Sequence, residues 1–334
     1  MVSIKDVAKR AGVAISTVSK VLNDYPNVSE DTKRKVNQAV TELNFVPNSV
    51  AAALSSKHAG RVALLVNLYD EAQAIDEIDM RYISGAINES MKLNLDVITL
   101  FFFMFRNKTV DEIIRYLKSQ SITGIIIYGL SKEDKVIHEL ISSGAFKCVT
   151  IDAPLVNDDT SCVSIDHMTA QYDVALKTLK EVEGNRILYI AGKVNGYVTD
   201  DRIEGIKRLV SDMKDEGKEY ILNIQYGEFS ERGARDITFK YAKDADVIVC
   251  ASDLMAIGAM KALAEMNLTK AICGFDGITL LGYTQNAINT VRQDFSALSA
   301  KAVDELDNLI QGGVGRLVPM PYKIVQINYL DIIV

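Results

Sequence analysis

Residues 4–58 read IKDVAKRAGVAISTVSKVLNDYPNVSEDTKRKVNQAVTELNFVPNSVAAALSSKH. Val7 and Ala11 stand one helical turn apart and line one face of a short helix. Gly12 follows where two helices would meet at a sharp angle, with Val13 just past the bend. A second short helix continues through Thr17, with Val18, Val21 and Leu22 on the face that packs against Val7 and Ala11. Ile15, Ser16, Ser19 and Lys20 then face outward: two hydroxyls, one apolar side chain and one cation, a set suited to base edges. A third helix opens at Ser29, which can cap it, with acids in its first turn. Val36, Ala39, Val40 and Leu43 form its apolar stripe, and Asn44 and Pro47 end it. Helix, turn, helix, helix within about fifty residues is a DNA-binding arrangement. The alternative is a plain three-helix domain.

Charge separates this head from the rest. Met1 to Arg61 holds nine Lys or Arg against five Asp or Glu, a net of +4, while the remainder nets −11 and the whole chain −7. A basic end on an acidic body favours DNA contact through that end.

Residues 47–60 read as a short, small-residue-rich helix and linker that buries too little to be stable alone. From Val62 the hydrophobic period changes. RVALLVNLY is apolar throughout, as in a parallel sheet, and strands then alternate with helices: helix 83–93, strand 95–105, helix 110–120, strand 122–130, helix 136–144, strand 147–154. The order repeats beyond 157–166, with helices at 169–180, 202–216, 230–243 and 254–266 between strands. Two doubly wound α/β lobes of this kind bind small molecules outside the carboxyl ends of their strands. One more helix, 297–310, and the tail KIVQINYL complete the chain.

The runs DVAKRAGVAISTVSKVLN, PNVSEDTKRKV and PN-x-x-A-x-x-L (Pro47–Leu54) resemble the LacI/GalR family of bacterial transcriptional regulators. The resemblance continues through DRIEGIKR (201–208), ASDLMAIGAMKALAE (251–265), GFDGI (274–278) and TVRQ (290–293). It implies a helix-turn-helix domain at 1–46, a hinge at 47–60, and a periplasmic-binding-protein-like core at 61–334 that binds effector and dimerises. The first lobe would comprise about 61–160 and 292–320, the second about 161–290 and 321–334, with three crossings near 159–163, 288–292 and 318–324. It places Ile15, Ser16 and Lys20 at base edges, and Ser29 and Thr32 near phosphates. Asn48 and Ala51 would lie in a hinge helix on the DNA, and Leu54 would wedge into the minor groove. Ala52 departs from the family's usual Arg.

For the effector, the resemblance points to Arg202, Ser252, Asp253 and Asp276 in the second lobe. Arg202 starts a helix and could fork onto hydroxyls, Asp253 could equally cap its helix, and Asp276 can accept two sugar hydroxyls. In the first lobe the family's Asn-Pro-Phe-Phe loop is replaced by NLYDEAQAIDEIDMRY (67–82), where Tyr69, Asp70 and Tyr82 occupy the corresponding region. Asp152 and Asp166 follow later strand ends, Ser252 stands for a common Asn, and His167 replaces an Asn.

No phosphate loop, dinucleotide fingerprint, H-E-x-x-H or paired-cysteine motif is present, so neither cofactor, metal nor catalytic residue is expected. Cys148, Cys162, Cys250 and Cys273 read as buried free thiols. The N-terminus lacks a long apolar run, and the apolar run Leu95–Phe105 is too short to span a bilayer. The expected protein is a cytoplasmic repressor with pseudo-palindromic operator DNA as partner, a homodimer without membrane contact, whose DNA affinity answers to a small metabolite, a sugar foremost. Met104 and Phe105 are candidates for the partner contact. The alternatives are a nucleoside-responsive regulator of the same kind, or a sugar-binding protein without DNA function.

Overall fold

The computed structural model describes residues 2–22, 25, 27–45, 61–67 and 77–333. The expectations for Asn48, Ala51, Leu54, Tyr69 and Asp70 lie outside the described residues.

Helices Ile4–Ala11, Ile15–Leu22 and Glu30–Glu42 form the head. Val7, Ala8, Val18, Val21, Val36 and Ala39 make its core, with Ala11, Leu22, Val40 and Leu43 half-buried around them. Gly12 takes φ 67° and ψ 34°, a left-handed helix cap whose N–H donates to the Ala8 carbonyl. Nothing lies within 4 Å of where its Cβ would sit, so backbone handedness selects glycine here, not space. Ser29 caps the third helix through the Thr32 amide. Such a small core tolerates little loss. Val36→Ala is expected to cost the head about 2 kcal/mol, read in the full chain as early proteolytic cleavage within residues 2–45 while the core stays intact.

Beyond the head stand two six-stranded sheets. The first has the order β11-β5-β4-β3-β1-β2, with β1 Arg61–Val66, β2 Asp96–Phe101, β3 Ile122–Tyr128, β4 Lys147–Ile151, β5 Thr160–Ile165 and β11 Leu317–Met320, all parallel. Helices Glu77–Lys92 and Phe295–Ile310 cover one face together, and a Cβ on Gly85 would fall 2.2 Å from the Ser296 carbonyl, so only glycine lets the two axes approach this closely. The second sheet runs β12-β10-β9-β8-β6-β7, with β6 Arg186–Ala191, β7 Ile221–Tyr226, β8 Val247–Cys250, β9 Ala271–Cys273, β10 Asn289–Gln293 and β12 Tyr322–Gln326, the last antiparallel to β10. Both faces of β1 and β8 are buried, which is why these strands read as continuous apolar runs.

The chain crosses between lobes at Asp166, Asp294 and Pro321. Two of these differ from the expected places. Thr160–Ile165 is a strand of the first lobe, and Asn289–Gln293 a strand of the second, so each crossing comes directly after a complete strand. Asp166 and Asp294 then cap the helices that follow. The strand expected over 95–105 ends at Phe101. Phe102–Phe105 turn into a 3-10 helix, and Phe105 is core against Tyr116, leaving Phe103 and Met104 as the exposed apolar residues of that turn. All four cysteines are free and buried, and burial pushes the thiols of Cys148, Cys162 and Cys273 up to about 12. No helix among the described residues is long and apolar enough to cross a membrane.

Candidate functional site

The carboxyl ends of both sheets meet in a cleft, where polar side chains from the two lobes converge. Helix Tyr197–Asp215 starts five residues earlier than expected, so Arg202 leaves its second turn instead of its start. Arg202 is 4% exposed. Its Nη1 donates to the Ala251 carbonyl, and its guanidinium lies 3.6 Å from the centroid of the Phe275 ring, a cation–π stack. Nε and Nη2 lie 3.4 and 3.3 Å from His167 Nδ1, and Nη2 lies 3.7 Å from Asp276 Oδ1.

Asp276 follows β9 and holds φ 119°, a conformation that L residues rarely adopt. Its amide donates to the Val291 carbonyl and its carbonyl accepts from the Gln293 amide, so the neighbouring strand imposes the geometry. Gln293 Nε2 donates to Oδ1 at 3.3 Å, while Gln293 Oε1 is buried without a partner. Burial pushes the Asp276 carboxyl up to about 7, with Asp152 adding to the rise and Arg202 opposing it.

From the first lobe come Asp152 and Tyr82. Asp152 sits just past β4 at φ 58°. Its Oδ1 accepts from Ser164 Oγ at 2.8 Å, and Tyr82 Oη lies 3.4 Å from Oδ2. Burial would raise the Asp152 carboxyl, but neighbours that include Ser164, which donates to it, and the Arg202 cation hold it below its ordinary value. Tyr82 packs its ring against Tyr128 and Phe295. Burial drives its hydroxyl well above the ordinary value, with Asp152, Asp276 and Asp79 adding to the rise. On one flank of the cleft the Lys132 amide donates to the Asn195 carbonyl, Asn195 Nδ2 to Glu133, and Lys132 pairs with Asp200. On the other the Thr279 amide and hydroxyl both donate to Glu77, at 2.8 and 2.6 Å. A cavity of about 500 Å³ opens on the Glu133 flank, apart from Arg202, Asp276, Asp152 and Tyr82, and is lined by Asn67, Phe102, Phe103, Arg106, Ser131 and Lys193 among others.

Asp253 departs from the expectation. Its carboxylate is fully buried and accepts from the amides of Gly277 and Ile278 and from the Thr290 hydroxyl, at 2.6, 2.9 and 2.6 Å. It is an internal anchor for the Asp276 loop, with both oxygens engaged by the fold. It is not the helix cap either: Ser252 Oγ accepts from the Met255 amide at 3.3 Å and fills that role. Ser252 is therefore also committed, and the side chains left facing the boundary are Tyr82, Asp152, Arg202 and Asp276.

On the head, Ile15, Ser16 and Lys20 are exposed along one side of helix Ile15–Leu22, away from Val18 and Val21. Ser29 is exposed at the start of the third helix, its hydroxyl 2.9 Å from that of half-buried Thr32.

Residues 3–48 match the profile of bacterial regulatory proteins of the lacI family, and residues 176–325 that of a periplasmic binding protein-like domain. The chain is 26% identical over 324 residues to the HTH-type transcriptional regulator MalR of Clostridium butyricum, covering 92% of each. It is 26% identical over 333 residues to the lactose operon repressor of Escherichia coli, covering 93% of this chain and 85% of that protein. The chain belongs to the LacI family of bacterial regulatory proteins. Its fold follows that of the lac repressor dimer bound to operator and the anti-inducer ONPF, with a TM-score of 0.79 at 23% identity over 97% of each chain. The CelR–cellobiose complex superposes with a TM-score of 0.69 at 22% identity, over 98% of this chain and 99% of that one.

Within this LacI-family chain, three contributors to the cleft went unnamed as candidates from the sequence. Phe275 and Gln293 lie beside Asp276, one as its chain neighbour and one on the adjoining strand. His167 showed only as a departure from the family's Asn. Strand ends facing the same cleft were the available signal for all three.

Proposed function

We propose that this protein is a cytoplasmic repressor, a homodimer that binds a pseudo-palindromic operator and releases or gains it when a sugar enters the cleft. The observation that carries the effector half is that Arg202 and Asp276 from one lobe lie close enough to Asp152 and Tyr82 from the other to act on their charges, with His167 2.9 Å from Asp152 between them. A ring of hydroxyls satisfies such a set, since each hydroxyl both donates to a carboxylate and accepts from a guanidinium. Because the cluster is buried, a ligand reaches it only when the lobes part, and binding is thereby linked to lobe geometry. The lac repressor solved with ONPF and CelR solved with cellobiose support a sugar as ligand class.

In the DNA half, Ile15, Ser16 and Lys20 read base edges and Ser29 and Thr32 approach phosphates, with Asn48, Ala51 and Leu54 supplying the hinge contact. Lys20→Ala is expected to weaken specific operator binding by roughly 10- to 100-fold and to relax preference at one base pair. Binding selection followed by titration of the selected duplex checks this, and an unaltered selected sequence would remove Lys20 from the base edges. The effector is tested by thermal shift of the full chain against mono- and disaccharides, polyols and nucleosides. A shift by a sugar that also alters operator affinity is the expected result. A nucleoside alone producing it would overturn the sugar assignment.

A further inference from the structure

His167 is 2% exposed and is the first residue of the helix that follows the first crossing. It lies between an acid of one lobe and the cation of the other. Two Arg202 nitrogens lie 3.3 and 3.4 Å from Nδ1, and arginine can only donate, so Nδ1 must be the bare acceptor. The proton then sits on Nε2, 2.9 Å from Asp152 Oδ1. That pair is close but misaligned, and Nε2 completes no hydrogen bond in this arrangement. Phe275 stacks on the imidazole as well as on the guanidinium, with a ring separation of 5.7 Å and an interplanar angle of 29°, which fixes the imidazole plane. Asp166 on its own helix and Asp201 beside Arg202 complete the charged surroundings, with Asp276 behind the guanidinium.

We propose that His167 is the positioning residue of the cleft: held as the Nε2–H tautomer, it accepts from Arg202 and donates toward Asp152, so that aiming the guanidinium and bringing the lobes together are one event. This rests on the effector reading of the cleft. A small rotation of one lobe would align the Nε2–H with Asp152 while Nδ1 keeps its hold on Arg202. An amide at this position serves one neighbour or the other. Asn offers an acceptor near the place of Nδ1, and Gln a donor near the place of Nε2.

The test uses the full chain labelled with 15N-histidine and 15N-arginine. The chain has three histidines, His58, His138 and His167, so His167→Gln assigns the signal by its loss. A neutral imidazole protonated at Nε2 is expected. The Arg202 Nε–H is expected to exchange with water about tenfold more slowly in the native chain and in His167→Asn than in His167→Gln. A proton on Nδ1, an imidazolium at neutral pH, or equal exchange in the two variants would overturn the proposal. Neither measurement contains a sugar. A sugar screen that fails while this signature holds therefore counts against the effector reading and leaves His167 as a link between lobes.

Discussion

Asp253→Ala is expected to lower the melting temperature of the full chain by about 10 °C. The buried carboxylate accepts from two consecutive amides and one hydroxyl, drawn from the loop after β9 and from β10. Removing it strands three donors where water cannot follow, at a cost of about 3–5 kcal/mol. For a lobe of this size each kcal/mol moves the transition by about 2–4 °C. Burial drives the Asp253 carboxyl well above its ordinary value, with neighbouring Asp276 adding to the rise and the three hydrogen bonds opposing it. The carboxylate thus depends on those donors as much as they depend on it. Differential scanning calorimetry reads the effect directly. A drop below about 3 °C would show that the Asp276 loop is held by its backbone ladder alone.

Asp276→Asn is expected to act in the opposite sense on stability while abolishing the sugar response. The carboxyl is raised by burial to about 7. A carboxyl raised in the folded state leaves stability intact below its unfolded value and costs stability as pH climbs through the folded one. The native chain should therefore lose stability between about pH 4 and pH 8 from this group, and the asparagine variant should not. At pH 8 the variant is expected to melt a few degrees higher, since the amide keeps the shape without the buried charge. A sugar that shifts the native chain should bind the variant at least about 100-fold more weakly, because the amide replaces an acceptor of two hydroxyls with one donor and one acceptor. Melting curves at pH 5 and pH 8, with and without a shifting sugar, separate the two effects. Equal pH profiles for both proteins would show that Asp276 is already paired and carries no buried strain. Together the two variants distinguish a carboxylate that holds the fold from one held ready by it, although both follow strands of the same sheet.

Much of the plan was legible from local pattern. The head could be read because each apolar stripe recurs at helical spacing and each boundary carries its own signal: Gly12 at φ 67°, Ser29 at a cap, Asn44 at φ 47°. The inner strands could be read because burial on both faces writes itself as an unbroken apolar run. Strands β5, β10 and β11 were not legible as strands. Each lies directly beside a crossing, where no helix of its own lobe follows it to mark the βα alternation, and β11 pairs with β5 alone, more than a hundred residues earlier in the chain. Near Phe105 the apolar run misled for a different reason: LFFFMF satisfies strand and 3-10 turn alike until the packing against Tyr116 decides.

The amino-acid order alone sets the division into a basic helical head and an acidic two-lobed core, the family, and the strand ends at which a ligand would be met. Those follow from periodicity, charge and motif spacing, which are local. What each acid at those strand ends does is set by the packed fold. Asp253 and Asp276 look alike in sequence, each three residues past a strand of the same sheet, yet Asp253 turns inward onto three donors while Asp276 lies beside Arg202 of its own lobe at the cleft. The roles of Arg202, His167 and Asp152 depend on which side chains arrive beside them from the other lobe. A carboxylate's part is set by its donors and its burial, and both are properties of the assembled fold.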